Sequence, residues 1–322
     1  MKKRFNAMAH TPITLDKATV SEALGNINVV DTMRGLFTEL GENHAVQPAQ
    51  TITEFPQGGD FITYLGALGG AGVFGAKLSP YLPREEGPII TAWTVLMSME
   101  SGQPLALLDA GDLTTERTAA TTALAVDLLA PNDRALKLAI IGSGAVAKAH
   151  MRHVTGLRDW SEVRVYSPGL ANAPEAQKTW QGLHSGITLA DTSKATVQGA
   201  DVVMLCTSSG TPVVATENLA PNTLVTSIST NVAQAHEIDP DFLKRAQVYC
   251  DYRATTPNAA GDMLLAREKH GWSADEIRGD LAELCVASCA KPTSDRRVFF
   301  RSIGLGLEDI AIGYAVYQHV RS

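Results

Sequence analysis

The sequence predicts an α/β fold: a Rossmann-type parallel-sheet domain plus a discontinuous second α/β domain. Three observations carry this. From residue 136 onward, short apolar runs alternate with helical stretches, the pattern of a parallel sheet covered on both faces. The first of these runs opens directly into a glycine-rich turn, IGSGAVA. Before residue 110, by contrast, apolar runs succeed one another with only glycine and proline turns between them, which is an antiparallel pattern.

Taken in order, residues 16–41 read as helical segments. TITEF, FITYLGAL and GVFGAKLS read as short strands cut by glycines. PIITAWTVLMSMESGQPLALLDA reads as two strands joined at SGQP. TTERTAATTALAVDLLA has the alanine content and spacing of a helix and stops at PND. LKLAII is a buried strand and AVAKAHMRHVTGL a helix. SEVRVYS, ADVVMLC, TLVTSIS and QVYCDY are further strands. The final stretch, IGLGLEDIAIGYAVYQHV, reads as an amphipathic helix lying beyond the βα region and returning to the first domain.

Bulk properties bound the function. The 322 residues are 45% hydrophobic and 19% charged, enough apolar material for two cores. A net charge of -7, with no basic run longer than the opening MKKR, argues against nucleic acid as a partner. No stretch approaches the roughly 20 apolar residues of a membrane span, so no membrane partner is expected. MKKRFNAMAHTPIT lacks the apolar core of a signal peptide, and a cytoplasmic protein is expected. Cys206, Cys250, Cys285 and Cys289 form no CxxC pair. Cys285 and Cys289 would share a helix face but have no further ligand at metal spacing, so no metal is expected.

The turn at 142–144 has a physical reading. Gly142 permits the tight exit from the strand. Gly144 removes a side chain where a diphosphate approaches the backbone. The amides of Ser143, Ala145 and Val146 then open a helix whose N-terminus favours an anion. Ala147 takes the place of the third glycine of the fingerprint, where a small residue allows helix–strand packing. The second strand ends in Tyr166, Ser167 and Pro168, with no acid to bond a ribose 2′-hydroxyl. Ser167 could donate to a 2′-phosphate instead. These residues favour NADP(H) and leave NAD(H) open. Thr207, Ser208 and Ser209 would lie at the carboxyl end of one parallel strand, and Ser227 with Ser229 at the end of the next, where such sheets bind ligands. His150 and His153, on the helix after the turn, read as structural.

GAKL at 75–78, SGQPLALLDAGDLTTERTAATTALA at 101–125, IGSGAVAKAH at 141–150, LCTSSGTPVV at 205–214, HEIDP at 236–240 and RSIGLGLEDIA at 301–311 stand in this order. Together they resemble the ornithine cyclodeaminase and mu-crystallin family over nearly the whole chain. The resemblance implies a substrate-binding and dimerisation domain (residues 1–125 with 300–322), a Rossmann domain (126–299) and a homodimer. It implies NAD(P)-dependent chemistry on an amino or imino acid. Arg117 matches the family's carboxylate-binding arginine and Lys77 the lysine near the reacting carbon. A guanidinium fork suits a carboxylate. By the same resemblance Thr207, Ser208 and Ser209 touch the cofactor's ribose or nicotinamide, and Ser302 and Gly304 belong to a segment that closes over it.

Two departures matter. Gln50 stands where the family often has a second arginine. Asn231 stands where cyclodeaminases carry an acid/base aspartate, and an amide cannot take a proton at neutral pH. Hydride delivery to a preformed iminium asks less: orientation, a carboxylate clamp and a proton source. Asn231 or Gln50 could orient a water or the ring nitrogen. The expected activity is therefore reduction of a cyclic imino acid, Δ1-pyrroline-2-carboxylate to L-proline or Δ1-piperideine-2-carboxylate to L-pipecolate. Ornithine cyclodeaminase, an alanine-type dehydrogenase and a non-catalytic binding protein like mu-crystallin are the alternatives.

Overall fold

A computed structural model of the chain describes residues 11–230, 234–294 and 296–322. The opening MKKR and Asn231 lie outside these described residues. The chain divides into two compact units, one running to Arg117 and resuming over Leu305–Ser322, the other spanning Thr118–Gly304.

The first unit holds strands β1 (Ile13–Leu15), β2 (Ala45–Val46), β3 (Thr51–Glu54), β4 (Asp60–Leu68), β5 (Val73–Leu82), β6 (Ile89–Ile90), β7 (Trp93–Ser98) and β8 (Pro104–Asp109). They form one sheet in the order β1-β8-β7-β5-β4-β2, with β3 on β4 and β6 on β5. Among the described residues, β1 and β8 pair in parallel and the other pairs of this sheet are antiparallel. Helices α1 (Lys17–Leu24) and α2 (Val29–Gly41) account for the helical reading of 16–41. Each is capped by a side-chain oxygen at its start, Asp16 on Thr19 N and Asn28 on Asp31 N. Helix α3 (Gly111–Leu129) follows β8.

The last helix, here placed in chain order as α9 (Gly306–Arg321), packs on β4, β5 and β7 and against α1 and α2. The expected amphipathic character is corrected. Residues 304–313 are buried without a break, and only its last turns are exposed. The cause is close approach: a Cβ on Gly306 would sit 2.3 Å from the Leu65 carbonyl, and one on Gly66 2.7 Å from Leu307 Cα. Alternation along the sheet then sends the odd positions of β5 toward α9 and the even ones outward. On the outward face Leu65, Phe74, Leu78, Trp93 and Leu107 form an exposed apolar set, with Leu78 paired to Trp93 and Phe74 to Met97.

The second unit is an all-parallel sheet of β9 (Leu136–Ile141), β10 (Trp160–Tyr166), β11 (Ile187–Leu189), β12 (Val202–Leu205), β13 (Leu224–Ser227), β14 (Gln247–Cys250), β15 (Ile277–Asp280) and β16 (Val298–Arg301). The order is β11-β10-β9-β12-β13-β16-β14-β15. Its helices are α4 (Ala145–Val154), α5 (Pro174–Gln181), α6 (Ser193–Val197), α7 (Gly261–His270) and α8 (Leu281–Cys285). This is the doubly wound arrangement expected from the alternating pattern. Strands β12, β13, β14 and β16 are buried at every residue, so they show no alternation of buried and exposed positions. No helix among the described residues is long and apolar enough to cross a membrane.

Candidate active site

Each unit holds one constellation of its own. In the second unit the glycine turn joins β9 to α4. Gly142 has φ +119, and a Cβ there would stand 2.3 Å from the Cys206 carbonyl, so no side chain fits. Gly144 is the N-cap of α4, has no side-chain capping bond and faces open space. The first amides of α4 are thus left without a side-chain partner, beside room for a ligand. Ala147 is fully buried against the sheet, as its place in the fingerprint requires. Trp180, also fully buried, donates its indole N–H to Ser143 O at 3.3 Å and steadies the turn. These residues fit a dinucleotide: a bare backbone, an uncapped helix start and no bulk in the way. Ser167 stands half-buried at the end of β10. His150 bonds Val146 O at 2.7 Å inside the helix, a structural role.

The carboxyl edge of this sheet is held by buried charges. Glu237 accepts Thr207 N and Oγ1 on one oxygen and Ser227 Oγ, Ile228 N and Ser229 N on the other. Arg301 reaches from β16 to Ser229 O at 2.5 Å and pairs with Asp262 at 3.0 Å. Asp251, just after β14, accepts Ser302 Oγ, Ile303 N and Gly304 N on one oxygen, and Thr256 Oγ1 with Tyr252 N on the other. In the sheet order β12-β13-β16-β14, every neighbouring pair of strand ends is therefore tied by an ionisable side chain. The hydroxyls of Thr207, Ser227 and Ser302 turn inward onto these acids. Ser208 is exposed at the tip of its turn, and Ser209 Oγ donates to Thr211 O. Gly304 has φ +78, a conformation glycine adopts freely.

In the first unit Lys77 and Arg117 come together, 1% and 5% exposed. Neither is therefore a surface cation. Lys77 Nζ lies 2.8 Å from Asp309 Oδ2, 3.3 Å from Thr114 Oγ1 and 4.2 Å from the centroid of the Tyr64 ring. Arg117 Nε lies 3.2 Å from Asp309 Oδ1, and its Nη1 3.0 Å from Glu308 Oε2. One carboxylate, Asp309, thus bridges both cations. Burial pulls the Lys77 ammonium down to about 8; attraction to Asp309 opposes this, and repulsion from Arg117 adds to it. Burial acts the same way on Arg117, but Asp309 and Glu308 outweigh it and hold the guanidinium charged. Burial pushes the Tyr64 phenol up.

Glu308 and Asp309 are the functional candidates that residue-by-residue reading missed. Two acids in the first turn of a helix read as dipole complements at an exposed start. The signal available was the pairing of two buried cations with nothing yet to neutralise them. Gln50 stands half-buried before β3, and among the described residues no hydrogen bond joins it to the cluster. Gln47, three residues earlier, accepts Leu307 N at 2.9 Å and fixes the start of α9.

The ornithine cyclodeaminase/mu-crystallin family pattern matches residues 17–322, and the chain belongs to that family. It is 51% identical over 311 residues to an NAD(P)H-dependent anabolic L-arginine dehydrogenase of Pseudomonas aeruginosa, covering 96% of this chain and 98% of the relative. It is 26% identical over 253 residues to a Δ1-pyrroline-2-carboxylate reductase of Colwellia psychrerythraea, covering 76% and 80%. A Δ1-pyrroline-2-carboxylate reductase of Thermococcus litoralis, solved with NADH and L-proline, superposes with a TM-score of 0.87 at 22% identity over 96% of this chain and 97% of that one, which shows the shared fold. Family, fold and relatives together define the class: an oxidoreductase acting at a carbon–nitrogen bond.

Proposed function

We propose that this protein is an NAD(P)H-dependent dehydrogenase of an open-chain basic amino acid, forming an L-amino acid such as L-arginine from the matching 2-oxo acid and ammonia. The observation that carries the reading is the 51% identity to the L-arginine dehydrogenase over almost the full length of both chains. The site supports it chemically. Every substrate of this kind presents a carboxylate next to the reacting carbon, and the first unit holds two buried cations. Arg117 is turned by Glu308 and Asp309 so that part of its fork is engaged, and the remaining donors would take the carboxylate. Lys77 Nζ forms an ion pair with Asp309 Oδ2 and supplies the second positive charge. Near-neutral basicity suits it to proton transfer as well. The turn at 142–144 and the α4 amides would hold the cofactor's diphosphate. A reduced nicotinamide supplies hydride to the imine carbon. The acid-free end of β10 favours NADP(H) over NAD(H).

The cyclic imino acid expected from the sequence is the second reading, carried by the 26% identical relative. It shares the carboxylate and the carbon–nitrogen double bond but needs no added ammonia. One assay separates them: oxidation of NADPH and of NADH with 5-guanidino-2-oxopentanoate plus ammonia, with the same oxo acid alone, and with the two cyclic imines. Turnover of the guanidino oxo acid only when ammonia is present is the expected result. Turnover of a cyclic imine alone would replace the first reading by the second. Dinucleotide binding with no turnover in any arm would support a binding protein.

We also propose that the chain works as a homodimer built on the outward apolar face of the first unit's sheet. An apolar set of this kind on one sheet face is costly to leave in water and fits a second copy of itself. Sedimentation should give twice the chain mass for the native protein, and a shift toward the monomer for Leu78→Lys with Trp93→Lys. A native monomer would sink this.

A further inference from the structure

We propose that Glu237 is the positioning residue of the cofactor-binding edge: its buried carboxylate sets the spacing and aim of the turns that follow β12 and β13. The inference rests on the reading of the second unit as a dinucleotide-binding unit.

The ladder between β12 and β13 ends at the pair Leu205 and Ser227. Beyond it, among the described residues, no further backbone pairing fixes the separation of the two strands. Glu237, 0% exposed, fills that place. Oε1 receives Thr207 N at 2.7 Å and Thr207 Oγ1 at 2.8 Å. Oε2 receives Ser227 Oγ at 2.8 Å, Ile228 N at 2.9 Å and Ser229 N at 3.0 Å. The segment that carries the carboxylate is itself anchored, Val213 N donating to Glu237 O at 2.9 Å. Two further bonds pass the constraint outward. Thr207 Oγ1 accepts Ser209 N at 3.1 Å, and Ser229 Oγ donates to Ser209 O at 2.7 Å. The turn Thr207–Ser209 and the turn Ile228–Ser229 are thus one body, joined through the Glu237 carboxylate and the Ser229–Ser209 bond.

The chemistry demands a carboxylate. Five donors converge, three of them backbone amides that can only donate. A carboxylate accepts on both oxygens, with about four lone-pair directions. A glutamine of the same shape would turn an NH₂ toward either Thr207 or the 227–229 turn. That would set N–H against N–H and release one turn from the other. The hydroxyls expected to meet the cofactor, those of Thr207 and Ser227, are spent on this joint. What the turns can offer a dinucleotide is their aim, with Ser208 exposed at the tip.

The test uses the full-length protein and reads cofactor binding apart from the carbon substrate. NADPH and NADH are titrated by nucleotide fluorescence into wild type, Glu237→Gln and Ser227→Ala, with thermal unfolding in parallel and KM measured for both substrates. Glu237→Gln should raise the cofactor Kd by at least about tenfold, the scale of a lost charge-assisted bond. The KM for the carbon substrate should stay within about twofold, because the cations that hold it belong to the other unit. Ser227→Ala removes one of the five donors and keeps the carboxylate; its Kd should rise about two- to fivefold. Folded Glu237→Gln with wild-type cofactor affinity overturns the role, as does an equal rise in both KM values. Should Glu237→Gln fail to fold, Ser227→Ala decides, and an unchanged Kd overturns the role. A wild-type chain that binds neither dinucleotide overturns the functional reading itself.

Discussion

Arg117→Ala should remove about 3–5 kcal/mol of folding stability and cut kcat/KM by one to two orders of magnitude, about 1.5–3 kcal/mol of transition-state binding. The stability loss follows from the charges left behind. Glu308 and Asp309 are both fully buried, and removing the guanidinium takes a cation from each of them. A buried carboxylate that loses its cation costs more than the pair contributed, since less of its desolvation is offset. Arg117→Lys keeps the charge and loses the fork. It should recover part of the stability, because an ammonium can satisfy one acid, and little of the activity, because it cannot span Glu308, Asp309 and a substrate carboxylate at once. Urea unfolding and steady-state kinetics on the three proteins check this. Wild-type stability in Arg117→Ala would mean that the guanidinium is not what offsets the burial of the two acids. Full activity in Arg117→Lys would remove the case for bidentate recognition.

The parts of this fold that sequence exposes are those with local signals. The glycine turn announces itself because its two glycines stand within three residues directly after an apolar run, although the carbonyl that leaves Gly142 no room for a Cβ belongs to the distant Cys206. Lys77 stands out because a lysine inside an apolar strand is itself an anomaly. What sequence hides is whatever depends on distant partners. Asp309 and Lys77 are 232 positions apart, and nothing in LEDIA announces that its acids face inward. The same holds for HEIDP, which stands out as a block while Glu237 reads as one more surface acid. Strand β16 escapes because VFFR is four residues after a long irregular segment, and periodicity needs more length than that. It is nonetheless central, lying between β13 and β14 and carrying Arg301 to the carboxyl edge. The burial of the final helix on nearly all sides escapes for the same reason. Its apolar residues continue round all sides, and only tertiary packing distinguishes a helix inserted between a sheet and two other helices from one lying on a surface.

The ionisation of Lys77 gives the sharpest test of the cluster. Its ammonium is lowered from the usual 10.5 to about 8, by burial first and by Arg117, while Asp309 and, more weakly, Glu308 work in the opposite sense. Tyr64 lies against it without a charge. For stability the sign is fixed by proton counting. Below about pH 8 folded and unfolded chains both hold the proton, and the folded state bears the full cost of the buried charge. Between about 8 and 10.5 the folded state releases the proton first, so the contribution of Lys77 to stability rises with pH across that window. Activity moves the other way. If the protonated Nζ helps to hold the carboxylate or to protonate the reacting nitrogen, kcat/KM in the reductive direction falls as pH passes about 8. Asp309→Asn removes the anion that keeps the proton on, so the falling limb should shift to lower pH. Glu308→Gln should shift it in the same direction by less, because that acid pairs with Arg117 rather than with Lys77. Comparing variants on one substrate cancels the substrate's own ionisation, so the displacement reports the lysine. A limb that stays in place in Asp309→Asn would show that another group sets the profile, and a limb that moves upward would contradict the coupling between the two side chains.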